Sequence, residues 1–322
     1  MRAAVIIATR NRAEALSATL QSINGQTVLP SEVIVVDSSD DASTQNAVAA
    51  MSRLVTYPLV YEPSAVRSAA VQRNLGAAKT SAEILCFFDD DLDLEPAFLA
   101  EILDVFEKDT THAIGGITGS IRNQYYSDPH GMNRFLLALC LGRFKGSYAG
   151  GLLGPAVNFL PAAAEDGIHD VQWLPSCCVA YRRKAFFDEQ FPQFEGYSFA
   201  EDVHLSSRVA KRYRVVCCGR AGVFHHDLGK STHKNWTALG KSMVVNRYDV
   251  MANILNRKSF GYWLRLLYFE LVYSSLTWLA AGRSRERLLT LKNLLAGKLA
   301  GFAEISRQRG AQNQMGAPAR AK

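Results

Sequence analysis

The sequence predicts an α/β fold with a parallel, doubly wound sheet. Three observations carry this expectation. Short runs of consecutive apolar residues alternate with stretches whose apolar residues recur at helical spacing. Three of those runs end in polar clusters, which places the clusters on one edge of the sheet, where open α/β sheets bind ligands. One run, Ile84-Leu85-Cys86-Phe87-Phe88, is apolar throughout and stops at Asp89-Asp90-Asp91. Such a run reads as a strand covered on both faces, the habit of strands inside parallel sheets.

Taken in order, Val5-Ile6-Ile7-Ala8 is the first strand and ends at Thr9-Arg10-Asn11-Arg12. Asn11 and Glu14 have capping-box spacing, and Leu16, Leu20 and Ile23 give the next helix a buried stripe up to Gly25. Val33-Ile34-Val35-Val36 is the second strand, ending in Asp37-Ser38-Ser39-Asp40-Asp41, with a helix to Met51 and a short third strand at Leu59-Val60-Tyr61. A helix from Arg67 to Ala78 carries Arg67, Arg73 and Asn74 ahead of the fourth strand. After the Asp triplet, Phe98, Leu99, Ile102, Leu103 and Phe106 form the core face of another helix.

From Asn123 to Asp170 glycines punctuate an aromatic stretch, which reads either as a loop region over the site or as an irregular surface excursion. Cys177-Cys178-Val179-Ala180-Tyr181 is a further strand, as are Val215-Val216-Cys217-Cys218 and Gly222-Val223-Phe224-His225-His226. Ser198 and Glu201 again have capping-box spacing, which gives Glu201 a structural explanation. Asp202 has none: it shares a helical face with Leu205, Val209 and Tyr213 and therefore points toward the interior or a cleft.

The chain has 322 residues, 48% hydrophobic and 20% charged, enough for one large α/β domain plus an appendage. A net charge of +6 suits nucleotide phosphates, nucleic acid or an anionic membrane without choosing among them. The N-terminal apolar run is too short for a signal-peptide core, so a cytoplasmic chain with reduced thiols is expected. Cys177-Cys178 and Cys217-Cys218 precede His225-His226, but vicinal residues of a strand face opposite ways and there is no CxxC knuckle, so these are read as buried thiols rather than a zinc site. Neither GxGxxG after the first strand nor GxxxxGK[ST] is present, which argues against a dinucleotide fold and a P-loop.

The Asp triplet needs a cation. Hard oxygen ligands suit Mg²⁺ or Mn²⁺, above all an ion shared with substrate phosphates; the plainer reading is a solvated acidic loop capping the helix after Glu95-Pro96. Strand alternation puts Asp89 and Asp91 on one face and Asp90 on the other.

With these residues in place, residues 3–230 resemble glycosyltransferase family 2, the inverting enzymes of GT-A fold, and in particular its rhamnosyl- and galactofuranosyl-transferase-like members of surface-glycan synthesis. Thr9, Arg10 and Asn11 resemble the family's first-strand nucleotide contacts, Asp37 its base- and ribose-binding acid, and Arg73-Asn74-Leu75-Gly76 the segment beside the diphosphate, with Arg67 adding positive charge. Asp89-Asp90-Asp91 resembles the DxD motif for metal and nucleotide, Glu201-Asp202 the pair that supplies the catalytic base, and His225 or His226 the late histidine that binds metal in some members. The resemblance implies a UDP-, dTDP- or GDP-sugar donor, Mg²⁺ or Mn²⁺ held by Asp89, Asp91 and one of the two histidines, donor contact from Asp89 and Asp90, and Asp202 as general base toward a glycan or lipid-linked acceptor. Nucleic acid is not expected as a partner. Two other readings compete: a sugar-1-phosphate nucleotidyltransferase, which would want a glycine-rich first loop that Thr9-Arg10-Asn11-Arg12 does not provide, and a catalytically silent sugar-nucleotide-binding or scaffold module.

These motifs imply a catalytic domain over residues 1–232, a helical extension over 233–306 and a disordered tail over 307–322. The extension is aromatic and apolar from Gly261 to Ala280, but Arg265 and Glu270 interrupt it, which does not suit a spanning helix. Basic flanks at Lys230, Lys234, Lys241, Arg247, Arg257 and Lys258, and again from Arg283 to Lys298, lead us to expect peripheral binding at the cytosolic face of an anionic membrane, or else a helical layer packed on the catalytic domain or a dimer contact.

Overall fold

A computed structural model describes residues 1–162, 167–194, 198–226 and 235–315, with side chains through 309. In chain order its elements are β1 (Ala3–Thr9), α1 (Ala13–Asn24), β2 (Glu32–Asp37), α2 (Ser43–Met51), β3 (Leu59–Pro63), α3 (Ala69–Ala78), β4 (Ile84–Phe88), β5 (Leu92–Leu94), α4 (Phe98–Lys108), β6 (Ile114–Ile121), α5 (Gly131–Leu141), β7 (Leu152–Leu153), β8 (Val157–Asn158), β9 (Ile168–Asp170), β10 (Cys178–Arg182), α6 (Arg183–Phe187), α7 (Glu201–Val209) and β11 (Arg214–His225). Beyond them come α8 (Trp236–Asp249), α9 (Phe260–Leu267), α10 (Ser274–Ala280) and α11 (Arg285–Met315), with π-helical segments at Val250–Ile254 and Tyr268–Tyr273.

The nine-stranded sheet has the order β3-β2-β1-β4-β10-β6-β11-β5, with β9 also pairing β11. The first four of these run parallel, β6 and β11 are parallel to each other, and β10 lies antiparallel between β4 and β6. This is the expected mostly parallel α/β sheet with helices on both faces. Alternation divides each central strand between two cores: Val5, Ile7, Ile84, Cys86 and Phe88 fall in one cluster, Ile6, Leu85 and Phe87 in the other. All six cysteines are buried and free, as expected of structural thiols.

Several elements differ from the sequence reading. Nothing in the pattern from Thr110 to Arg122 suggested a strand, yet β6 lies in the middle of the sheet. Its sequence, Ile-Gly-Gly-Ile-Thr-Gly-Ser-Ile, has low β-propensity because glycine leaves space that neighbours fill. A Cβ at Gly116 would lie 2.6 Å from Leu174 and 2.7 Å from the Tyr181 ring, and one at Gly119 would lie 2.3 Å from Phe98. The two late strands are one strand, β11, bent by a register shift between Cys218 and Gly222. The stretch from Asn123 to Asp170 is more regular than a loop region, since it holds α5, the β7–β8 pair and β9. Neither capping box forms. Asn11 has φ +56° and Ser198 stands outside α7, whose N-cap is Ala200 in the left-handed region.

The C-terminal helices pack on the sheet domain through a third cluster that joins Trp173 and Val203 to Val244, Met251, Leu266, Phe302 and Ile305. The expected domain boundary at 232/233, with Lys230 and Lys234, lies outside the described residues. Helix α11 runs to Met315, through the start of the expected tail, and residues 316–322 lie outside the described residues. Arg265 is half-buried, its guanidinium over the Tyr262 ring. Glu270 is fully buried, with Arg247 Nε and Lys298 Nζ each at 2.8 Å. Burial alone would raise its carboxyl; the two cations outweigh that and hold it below the ordinary glutamate range.

Two stability predictions follow from this packing. Gly76 sits where α3 crosses β1, and a Cβ there would lie 2.5 Å from Ile6 Cγ2 and 3.0 Å from Val36 Cγ2. Gly76→Ala therefore destabilises by about 1–3 kcal/mol in urea unfolding, although alanine is the better helix former. Glu270→Gln leaves two buried cations short of their anion and costs about 3–5 kcal/mol. The contribution of ionised Glu270 is complete above the ordinary glutamate pKa and is lost as pH falls through its lowered native value, so the gap between wild type and variant in thermal melts narrows on acidification.

Candidate active site

The site lies where β1, β2 and β4 end on the carboxyl edge of the sheet. At the end of β4 the chain passes through Asp89-Asp90-Asp91 into β5. Antiparallel pairing of β5 with β11 sets His225 opposite Leu92, which carries its imidazole back over the triplet. His225 Nε2 lies 3.1 Å from Asp91 Oδ1 and 3.7 Å from Asp89 Oδ2. One ligand atom from each of Asp89, Asp91 and His225 falls within 4.8 Å of the others. The hydrogen bond that the imidazole donates to Asp91 raises His225 above the ordinary imidazole range, against the opposing effect of burial. Two carboxylates and an imidazole form a donor set that fits a hard or borderline divalent ion such as Mg²⁺ or Mn²⁺.

Of the two histidines, His225 lies in this cluster and His226 does not; the His226 backbone N–H bonds the Asp91 carbonyl at 3.0 Å, and His226 lines a pocket of about 230 Å³ with Ala15, Ala18, Asp91 and Asp93. Asp90 also faces away. It accepts the Thr9 hydroxyl at 2.6 Å and an Arg12 N–H at 2.8 Å, and it stays inside the fold, where burial raises its carboxyl against these bonds. Thr9 and Asp90 thus tie the ends of β1 and β4 together. Arg12, which the sequence reading quoted but gave no role, also reaches Asp91 Oδ2 at 3.0 Å. The signal for it was its place one turn-residue past Asn11, beside an acidic cluster it could neutralise.

The remaining nucleotide-contact candidates form a second group around Asp40. Its carboxylate takes Arg10 at 3.1 Å, Arg67 at 2.6 Å and the Asn11 amide at 2.8 Å, and the Asn11 bond, followed by that of Arg10, holds it below the usual aspartate range. Asn11 therefore joins two loops instead of capping α1. Asp37 is buried at the end of β2, where it accepts the Ser39 N–H at 2.9 Å and the Tyr61 hydroxyl at 3.0 Å.

Arg73 lies beneath the cluster with its side chain 5% exposed; it pairs with Asp89 at 2.7 Å and Glu201 at 3.3 Å, and its guanidinium rests on the Phe191 ring. Glu201 was assigned to helix capping by spacing alone. It is instead an ionic partner of Arg73, because Ala200 in a left-handed turn starts α7 and aims the Glu201 side chain inward. Asp202 follows it, its Oδ1 accepting the Val203 N–H at 2.7 Å. Burial raises both Glu201 and Asp202 above the ordinary carboxyl range; for Asp202 the Val203 bond and the Arg73 charge oppose the shift.

Comparison with known proteins places this arrangement. The model described as Glycosyl transferase family 2 matches residues 4–186. No curated protein matches the chain. Among solved structures, the mannosyltransferase PcManGT from Pyrobaculum calidifontis in complex with GDP-Man and Mn²⁺ is 18% identical, at a TM-score of 0.55, over 94% of this chain and 87% of its own. TarS from S. aureus is 15% identical at 0.51 over 94% of this chain, and GalNAc-T7 with UDP, GalNAc and Mn²⁺ is 12% identical at 0.54 over 84%. The matches span only 54% and 55% of those two longer proteins. At such identities the structural likeness shows the fold alone. The family match covers more than half of the chain, and the protein belongs to glycosyl transferase family 2: it is a glycosyltransferase of GT-A fold.

Proposed function

We propose that the protein transfers a sugar, with inversion, from a UDP-, dTDP- or GDP-linked donor to a hydroxyl of a glycan or lipid-linked acceptor, in the synthesis of a surface glycan at the cytosolic membrane face. The observation that carries this reading is the convergence of Asp89, Asp91 and His225 on the same sheet edge as the Asp202 carboxyl. The solved neighbours bound to GDP-Man with Mn²⁺ and to UDP with Mn²⁺ support a nucleotide-sugar donor and a divalent ion.

Asp89, Asp91 and His225 would hold the ion. When bound, it neutralises the donor's diphosphate and stabilises the charge that gathers on the departing nucleotide. The chain's own residues do the rest. The loops after β1 and β2, knotted through Asp40 by Arg10, Asn11 and Arg67, border the space for the nucleoside. Arg73 holds the Asp89 carboxylate in orientation from below. Asp202 takes the proton from the acceptor hydroxyl as its oxygen attacks the anomeric carbon from the face opposite the leaving phosphate. One bond forms while the anomeric carbon–phosphate oxygen bond breaks, so a single displacement inverts the centre. A carboxyl raised by burial is the better proton acceptor near neutral pH.

Calorimetric titration with UDP, dTDP and GDP, each with Mn²⁺ or with EDTA, tests the donor site. One nucleotide binds only with metal, and Asp91→Ala weakens that binding at least about tenfold, a loss of 1.4 kcal/mol or more. Absence of binding under every condition would count against a nucleotide-sugar enzyme. Asp202→Asn tests the base. Turnover falls by at least about a hundredfold while the donor Kd stays within about twofold; an unchanged turnover removes Asp202 from the chemistry.

A further inference from the structure

We infer that α5 and the continuous helix α9–α10 form a bilayer-docking face that lies flat on anionic lipid beside the active-site edge. The inference extends the membrane-face part of the proposed function and rests on it only for the identity of the acceptor.

The two helices lie side by side. Tyr273 Oη donates to Asn133 Oδ1 at 2.9 Å, and Tyr268, Phe269 and Tyr273 pack against Leu137, Cys140 and Leu141. The Arg265 guanidinium closes on Gly142 at the end of α5. Each helix then leaves an apolar stripe uncovered: Met132, Phe135 and Leu139 on α5, and Phe260, Leu264, Val272 and Leu276 along α9–α10, all between 44% and 73% exposed. Residues four apart drift by about 40° per step around a straight α-helix and would wind out of line. The wider π-helical turn at Tyr268–Tyr273 drifts the other way.

Charge decides what covers it. From Arg257 to Ala300 the sequence has eight Lys and Arg against two acids, Glu270 and Glu286; Glu270 is sealed inside together with its partner Lys298, which leaves seven cations against one acid. From Gly131 to Tyr148 there is no acid beside Arg143 and Lys145, while Arg134 meets Asp128, three residues before this stretch, at 3.5 Å. A second copy seated on this face by a two-fold axis would bring like charges together. A phospholipid surface of negative charge matches both the apolar stripe and its basic surround. No described helix is long and apolar enough to cross a membrane, which leaves a helix lying in the interface. The face also belongs to the site's side of the molecule: the chain leaves β6 at the carboxyl edge, where Asn123 bonds the His225 backbone at 2.8 Å and 3.0 Å, and enters α5 next.

The test is co-sedimentation of the full chain with phosphatidylcholine vesicles, with and without phosphatidylglycerol, at low and high salt. The wild type partitions onto the anionic vesicles and is released by salt. The exposed quadruple variant Lys258→Glu, Arg283→Glu, Arg285→Glu, Lys292→Glu loses at least about a hundredfold in partition. Phe260→Ser with Leu264→Ser loses about tenfold. Equal binding to both vesicle types, no binding, or binding unmoved by either variant overturns the inference. So does a concentration-dependent dimer, seen by light scattering, that the Phe260→Ser, Leu264→Ser variant abolishes. Nucleotide titration without vesicles, on the same samples, separates the two readings: lost vesicle binding with intact donor binding removes the docking face alone, and the reverse removes sugar transfer alone.

Discussion

Asp89, Asp90 and Asp91 leave one buried strand in succession, and the fold around them is shaped by the need to place positive charge against each. Like charges this close in a medium of low dielectric repel strongly, and burial adds a cost to every ionised carboxyl. Each is answered from a different part of the chain. Arg73 comes up from α3 to Asp89, Arg12 spans Asp90 and Asp91 from the end of β1, and His225 descends from β11 onto Asp91. Thr9 fixes the orientation of Asp90 so that Asp89 and Asp91 are free to share a face. The site is therefore a balance of charge assembled across nearly the whole length of the sheet domain.

Most of the fold up to α4 is legible in the sequence because β1 to β4 are short apolar runs between polar punctuation and the flanking helices follow at helical spacing; β5, Leu-Asp-Leu, is too short and mixed to read. The rest hides for physical reasons. β6 is central but glycine-rich, because Phe98, Leu174 and Tyr181 occupy the space its side chains would need, so its sequence carries little strand signal. β11 reads as two strands because a bulge at Cys218 and Gly222 breaks its pattern. At the site, Asp89 and Asp91 come together as strand alternation leads one to expect, although the chain at Asp90 and Asp91 is a turn between β4 and β5. The choice of His225 over His226 depends on a pairing register with β5, and no local pattern encodes that. Glu201 shows the limit of spacing arguments. Its distance from Ser198 fits a cap, and only the left-handed turn at Ala200 reveals that the side chain faces Arg73 instead.

Arg12 answers two carboxylates at once. A guanidinium at 2.8 Å and 3.0 Å from two carboxylates supplies locally the charge that a divalent ion would otherwise have to bring.

The C-terminal helices are joined to the sheet domain by polar ties as well as by apolar contact. Asn246 bonds the Phe199 carbonyl, Asp249 meets His204 on α7, Arg247 reaches the Ala156 carbonyl, and Arg257 reaches those of Leu152 and Gly154. Two of these ties flank Glu201 and Asp202 along the chain. The helical layer is thus a rivet through the floor of the site, and a shortened chain that kept every sheet residue would set α7 loose. Any hybrid enzyme made by grafting this sheet onto another scaffold has to carry the helices with it, because the unit that can be inherited or exchanged intact runs past the last strand.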